Sequence, residues 1–122
     1  MVRSPTILFV DDDRDFADRV ADSLSRTGYA ASACYSAEAC LARLDDAIEI
    51  VVADILLRGI TGLELCARIR EQYPDILVVI TTASQDAKDV VAAMRVGAWD
   101  YIIKPVRDAE LALTVARAKE HV

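Results

Sequence analysis

Five polar side chains stand out because each closes a short apolar run: Asp11 and Asp12 after "ILFV", Asp54 after "IVVA", Thr82 after "VVIT" and Lys104 after "YII". Carboxylates gathered in one place repel one another and raise one another's pKa unless a cation lies among them. Mg²⁺ suits such a cluster. It binds through one or two carboxylates and waters and leaves positions for phosphate oxygens. A carboxylate beside the ion can act as a nucleophile. A phosphoryl group moving onto that carboxylate spreads charge over three oxygens, which a metal, an ammonium and a hydroxyl donor stabilise. If the fold brings these groups together, they make an aspartate phosphorylation site.

Bulk properties narrow the alternatives. At 122 residues the chain is expected to form one domain, 1–122. Its apolar fraction of 54% and mean hydropathy of +0.26 exclude disorder. No apolar run has the length of a membrane span, and residues 1–6 lack a signal-peptide core, so a soluble, cytoplasmic protein is expected. With 14 basic and 20 acidic residues the net charge is −6, which argues against direct nucleic-acid binding. Cys34, Cys40 and Cys66 lack metal-ligand spacing and read as reduced core or near-core thiols. His121, the only histidine, lies one residue from the C-terminus, so no central histidine serves as base or phosphoryl carrier.

Two hydrophobic periods alternate along the chain. β-rich runs fall at Thr6–Val10, Ala30–Cys34, Ile48–Ala53, Ile76–Thr81 and Tyr101–Ile103. Between them, Phe16, Val20 and Leu24 mark a helix from about Asp13, its cap, to Gly28. Ser36 caps a second through Leu44, and Leu65 and Ile69 mark a third, stopped by Pro74. Val90, Val91 and Met94 mark a fourth and are expected mostly in the core, with Val91 open to an exposed face and Gly97 as the helix's C′ residue. Leu111 and Val115 mark a fifth, and Trp99 reads as rim packing. Continuous apolar strands alternating with helices predict an α/β fold: one doubly wound five-stranded parallel sheet with helices on both faces. Sites in such sheets form beyond the carboxyl ends of the strands. There Asp11 and Asp12, Asp54, Thr82 and Lys104 converge, with Thr81 replacing Thr82 if the register shifts by one.

The whole chain resembles a response-regulator receiver domain of bacterial two-component signalling. "ILFVDDD" (Ile7–Asp13), "VVADILL" (Val51–Leu57), "VVITTAS" (Val78–Ser84) and "GAWDYIIKPV" (Gly97–Val106) are similar to the family's motifs, in order and at its spacing. The resemblance implies strand order 2-1-3-4-5. It implies Asp54 as phospho-acceptor and Mg²⁺ held by Asp11, Asp12, Asp54 and the backbone carbonyl of Leu56. Thr82 would hydrogen-bond the phosphoryl group and move on activation. Lys104 would pair with that group and precede a cis proline. Tyr101 would be the aromatic that reports the state, and small Ala83 would leave the acceptor accessible. A histidine kinase would be the donor. The surface of the fourth helix, fifth strand and fifth helix would dimerise or bind an output domain or effector. The domain would catalyse only its own phosphorylation and dephosphorylation.

Two positions depart from the family pattern. Arg58 stands where a proline is common, which predicts a more mobile loop with Arg58 either solvated or facing the kinase. Leu56 is apolar where many relatives are polar. That position and Ser84 tune phosphate lifetime in the family. Other functions fit less well. A phosphorylation-independent interaction module would be signalled by loss of the acidic pair, acceptor or lysine, and all are present. An aspartyl phosphatase needs a second aspartate where Leu56 stands. In a flavodoxin-like carrier, "DDDR" would repel the flavin phosphate.

Overall fold

The computed structural model describes residues 5–83 and 86–122. Five strands, β1 (Ile7–Val10), β2 (Ala31–Cys34), β3 (Ile50–Asp54), β4 (Leu77–Thr82) and β5 (Asp100–Ile103), alternate with helices. The helices are α1 (Arg14–Arg26), α2 (Ala37–Arg43), α3 (Gly62–Gln72), α4 (Ala87–Arg95) and α5 (Asp108–His121). The strands form one parallel sheet in the order β2-β1-β3-β4-β5, the architecture expected from the alternating periods and the resemblance.

Local signals start the helices. The side chains of Asp13, Ser36, Thr61 and Asp86 accept backbone N–H groups from Phe16, Ala39, Glu64 and Lys88, satisfying donors that a helix N-terminus leaves open. At the end of α4, Gly97 takes φ +95°, and its N–H donates to the Met94 carbonyl at 3.1 Å.

Side chains alternate between two core layers. Leu8, Val10, Val51, Ala53, Val78 and Ile80 join the layer that includes Leu65, Cys66 and Ile69 of α3 and Ala93 of α4. Ile7, Phe9, Ile50, Val52, Leu77, Val79 and Ile102 join Ala17, Val20 and Leu24 of α1 and Leu111, Val115 and Ala118 of α5. Every residue of β1, β3 and β4 is buried, because both faces of the sheet are covered. All three cysteines are free and buried.

Two expectations need adjustment. Asp54 and Thr82 are the last residues of their strands rather than the first beyond them. In α4, Val91 is 46% exposed, as expected of it, but Met94 is equally exposed, Val90 is only half-buried, and small Ala93 is the helix's buried residue. The segment carries more apolar residues than one packed stripe can hold, so the surplus lies outside.

Candidate functional site

Three strand ends deliver the charged groups. The Asp11 N–H donates to the Cys34 carbonyl at 3.1 Å, which extends the β1–β2 ladder by one residue. Asp54 ends β3, flanked by the Ile55 N–H, which donates to the Thr81 carbonyl at 2.9 Å. The Lys104 N–H donates to the Thr82 carbonyl at 2.7 Å, so the backbone bearing the lysine is fixed by β4. The Lys104–Pro105 peptide is cis. Strand alternation puts Asp11, Asp54 and Lys104 on the same face as Phe9, Val52 and Ile102, the α1–α5 side.

The side chains meet there. Lys104 Nζ donates to Asp54 Oδ2 at 2.7 Å and lies 3.5 Å from Asp11 Oδ2. The other oxygens are occupied too: Asp54 Oδ1 accepts the Leu56 N–H at 3.0 Å and Asp11 Oδ1 the Asp13 N–H at 3.0 Å. Lys104 Nζ also stands 5.9 Å from the centre of the Phe16 ring. A cavity of ≈ 440 Å³, lined by Asp11, Asp13, Phe16, Lys104, Pro105 and Val106, opens beside them.

Burial pushes the Asp11 carboxyl above its ordinary value, and the Asp54 charge adds to this. The Asp13 N–H and Lys104 oppose it without cancelling it. For Lys104, burial favours the neutral amine, but its hydrogen bond to Asp54 and the charges of Asp54 and Asp11 outweigh it. Its pKa is raised. The ammonium is therefore a fixed positive charge at Asp54.

Asp12 takes a separate position. Its Oδ2 lies 3.8 Å from Arg58 Nε at the rim. Among the described residues, no three metal-ligating side chains are gathered into a ready cage. Mg²⁺ does not need one, since one or two carboxylates and waters suffice. Two buried carboxylates sharing a single ammonium leave excess negative charge, and this donor set fits a divalent cation.

Thr82 is buried at the end of β4, and Tyr101 is half-buried on β5. Both lie on the α4 side of the sheet by strand alternation, and Tyr101 packs against that core layer. Thr81 pairs in register with Asp54. Its buried hydroxyl has no hydrogen-bond partner, a feature that reading Thr82 as the functional hydroxyl passed over. Trp99 is half-buried and packs at the rim against His121, their rings 5.8 Å apart. Ala83 is exposed, and Ser84 lies outside the described residues.

The loop after Asp54 is tied down at several points. Leu57 is buried, Gly59 adopts φ +76°, and the Ile60 N–H donates to Glu38 Oε1 of α2 at 3.3 Å. At Gly62 a Cβ would fall 2.2 Å from the Asp54 carbonyl oxygen, so only glycine lets α3 begin directly behind Asp54. The Arg58 side chain, 94% exposed, reaches Asp12 as well as solvent. Nothing in the local sequence pointed to the Glu38 tether, which joins residues 22 positions apart.

The sequence profile of the response regulator receiver domain matches residues 7–116. The chain belongs to the response regulator receiver family. It is 34% identical to the C4-dicarboxylate transport transcriptional regulatory protein DctD of Rhizobium meliloti over 98% of its length, covering 26% of DctD. It is also 34% identical to the regulatory protein VanR of Enterococcus faecium over 95% of its length, covering 49% of VanR. The receiver thus spans about a quarter to a half of these relatives. Among solved structures, the receiver domain of NtrX from Brucella abortus superimposes with a TM-score of 0.87 at 37% identity, covering 95% of this chain and 99% of that one. Receiver domains are phosphorylation-driven switches of two-component signalling, and they generally bind Mg²⁺ at the acidic pocket.

Proposed function

We propose that Asp54 is the phospho-acceptor of this receiver. The observation that carries the reading is the Lys104 ammonium held between Asp54 Oδ2 and Asp11 Oδ2 at the carboxyl edge of the sheet. In the forward step an Asp54 carboxylate oxygen attacks the phosphorus of a phosphohistidine on a sensor histidine kinase. The P–N bond breaks, the P–O bond forms, and the imidazole leaves with its electron pair and takes up a proton. Lys104, released from Asp54 Oδ2, pairs with a phosphoryl oxygen. Thr82, buried at the neighbouring strand end, donates its hydroxyl to another.

Mg²⁺, when bound, neutralises the phosphoryl oxygens and the surrounding carboxylates. Asp11, Asp12, Asp54 and the Leu56 backbone carbonyl would hold it. The position of Tyr101 on the same face as Thr82 supports a readout in which a movement of Thr82 is passed through Tyr101 to α4, β5 and α5. That surface would pair with a second copy, an effector or an output domain of the kind that gives DctD and VanR their greater length. A kinase of this class places the domain in the cytoplasm. The domain then acts as a regulatory module and catalyses only its own phosphorylation and dephosphorylation.

The test is intact mass after incubation with acetyl phosphate, with and without Mg²⁺, for the natural chain and for Asp54→Asn. One Mg²⁺-dependent phosphoryl adduct, lost in Asp54→Asn, is expected. An undiminished adduct in Asp54→Asn would move the acceptor elsewhere. No adduct on the natural chain would leave the domain a phosphorylation-independent interaction module.

A further inference from the structure

Each carboxylate of the acidic pocket has a protein cation beside it, but the two cations differ in kind. Lys104 sits between Asp11 and Asp54 with about 29% of its side chain exposed. Arg58 stands at the rim, its Nε 3.8 Å from Asp12 Oδ2, with its side chain 94% exposed and that of Asp12 34% exposed. Three features fix the backbone on either side of Arg58. Leu57 is buried immediately before it, Gly59 turns through φ +76° immediately after it, and the Ile60 N–H is held by Glu38 Oε1 at 3.3 Å. The guanidinium therefore leaves from an anchored stretch of backbone and comes within 3.8 Å of Asp12.

We infer that Arg58 is a tethered competitor of the divalent cation: it occupies Asp12 in the metal-free domain and is displaced when Mg²⁺ binds. Arg58 sets the metal affinity in this account, and through it the concentration of Mg²⁺ at which the acceptor becomes competent. The physical basis is Coulombic. A fixed positive charge beside a ligand carboxylate lowers that carboxylate's attraction for a second cation, and forming the metal site breaks an existing ion pair. The pair is exposed, so its influence is modest and falls as ionic strength rises. A proline at this position would supply no such charge. The inference rests on the Mg²⁺ reading given above.

The experiment is Mg²⁺ titration of the unphosphorylated domain, followed by isothermal calorimetry and by Trp99 fluorescence, at low and at high monovalent salt. The variants are Arg58→Ala, Arg58→Lys and Arg58→Pro, with Arg58→Ala repeated in an Asp12→Asn background. Arg58→Ala and Arg58→Pro are expected to bind Mg²⁺ about two- to five-fold more tightly than the natural chain at low salt, the span of an exposed ion pair. Arg58→Lys should stay near the natural value. The gain should shrink at high salt and vanish in the Asp12→Asn background. Equal Kd values for the natural chain and Arg58→Ala would overturn the inference. So would a gain seen with proline alone, which assigns the effect to loop stiffness, or a gain that survives Asp12→Asn, which assigns it to long-range charge. A natural chain that binds no Mg²⁺ at all would instead defeat the metal reading beneath it, a result distinct from these.

Discussion

Strands β3 and β4 and helix α4 share one core layer yet are held very differently. Every residue of β3 and β4 is buried, and these strands carry Asp54, Thr81 and Thr82 at their ends. Helix α4 buries Ala93 and leaves Val91 and Met94 each 46% exposed. Asp54 thus stands on strands buried on both faces, beside a hydroxyl on the neighbouring strand and within 2.7 Å of the Lys104 ammonium. The helix that would report the chemical change is attached by little apolar burial and can shift at small cost. Chemistry needs the first property and switching needs the second.

The largest effects should come from the strands. Ile80→Ala removes a fully buried side chain from the centre of the sheet and should cost about 2–5 kcal/mol, read from denaturant unfolding. Lys104→Met leaves Asp11 and Asp54 facing each other with no cation between them. Because the lysine is partly open to solvent, a loss of about 1–3 kcal/mol is expected at neutral pH. The pH dependence has a definite sign. The folded pKa of Lys104 is raised above 10.5, so its contribution is complete below 10.5 and is lost as pH rises through the folded value. Lys104→Met should lack that alkaline loss in thermal unfolding.

Asp11 works in the opposite sense. Its folded pKa is raised above 3.8, so the stability it contributes is present below 3.8 and lost as pH rises through the folded value. Asp11→Asn is therefore expected to raise the melting temperature of the metal-free domain at neutral pH, by less than Lys104→Met lowers it, and to abolish the rise in melting temperature on Mg²⁺ addition that the proposed site predicts for the natural chain. The smallest effect belongs to α4. Val91→Ser should change unfolding by no more than about 0.5 kcal/mol, since the side chain is already half in solvent. A cost there comparable to that of Ile80→Ala would break the contrast between the two regions.

Much of this was legible in the sequence for identifiable reasons. The sheet announced itself through uninterrupted apolar runs, and Asp11, Asp54 and Lys104 could be read because each follows such a run and parallel topology forces those ends together. Asp13 and Ser36 were readable as caps because capping is local. Long-range contacts were not readable. The Glu38 tether on Ile60 and the reach of Arg58 to Asp12 depend on how α2 and the β3–α3 loop pack, and no local pattern encodes them. The exposure of Val91 was anticipated, but that of Met94 escaped for a related reason. Apolar spacing finds a helix, but its burial depends on how much sheet is left to cover. The strand ends show a finer limit. A run of apolar letters stops at Ala53, yet the hydrogen-bonded ladder continues one residue further and takes Asp54 with it.

The central claim is that Asp54 carries the phosphoryl group. It is tested most directly by borohydride reduction of the acetyl-phosphate-treated domain, followed by peptide mass spectrometry. Borohydride converts an aspartyl phosphate to homoserine and leaves an unmodified carboxylate intact, so the acceptor is marked at its own position. The account predicts homoserine at position 54, dependent on Mg²⁺, with Asp11, Asp12 and Asp13 unchanged. Homoserine at position 11, 12 or 13 with Asp54 intact would contradict it.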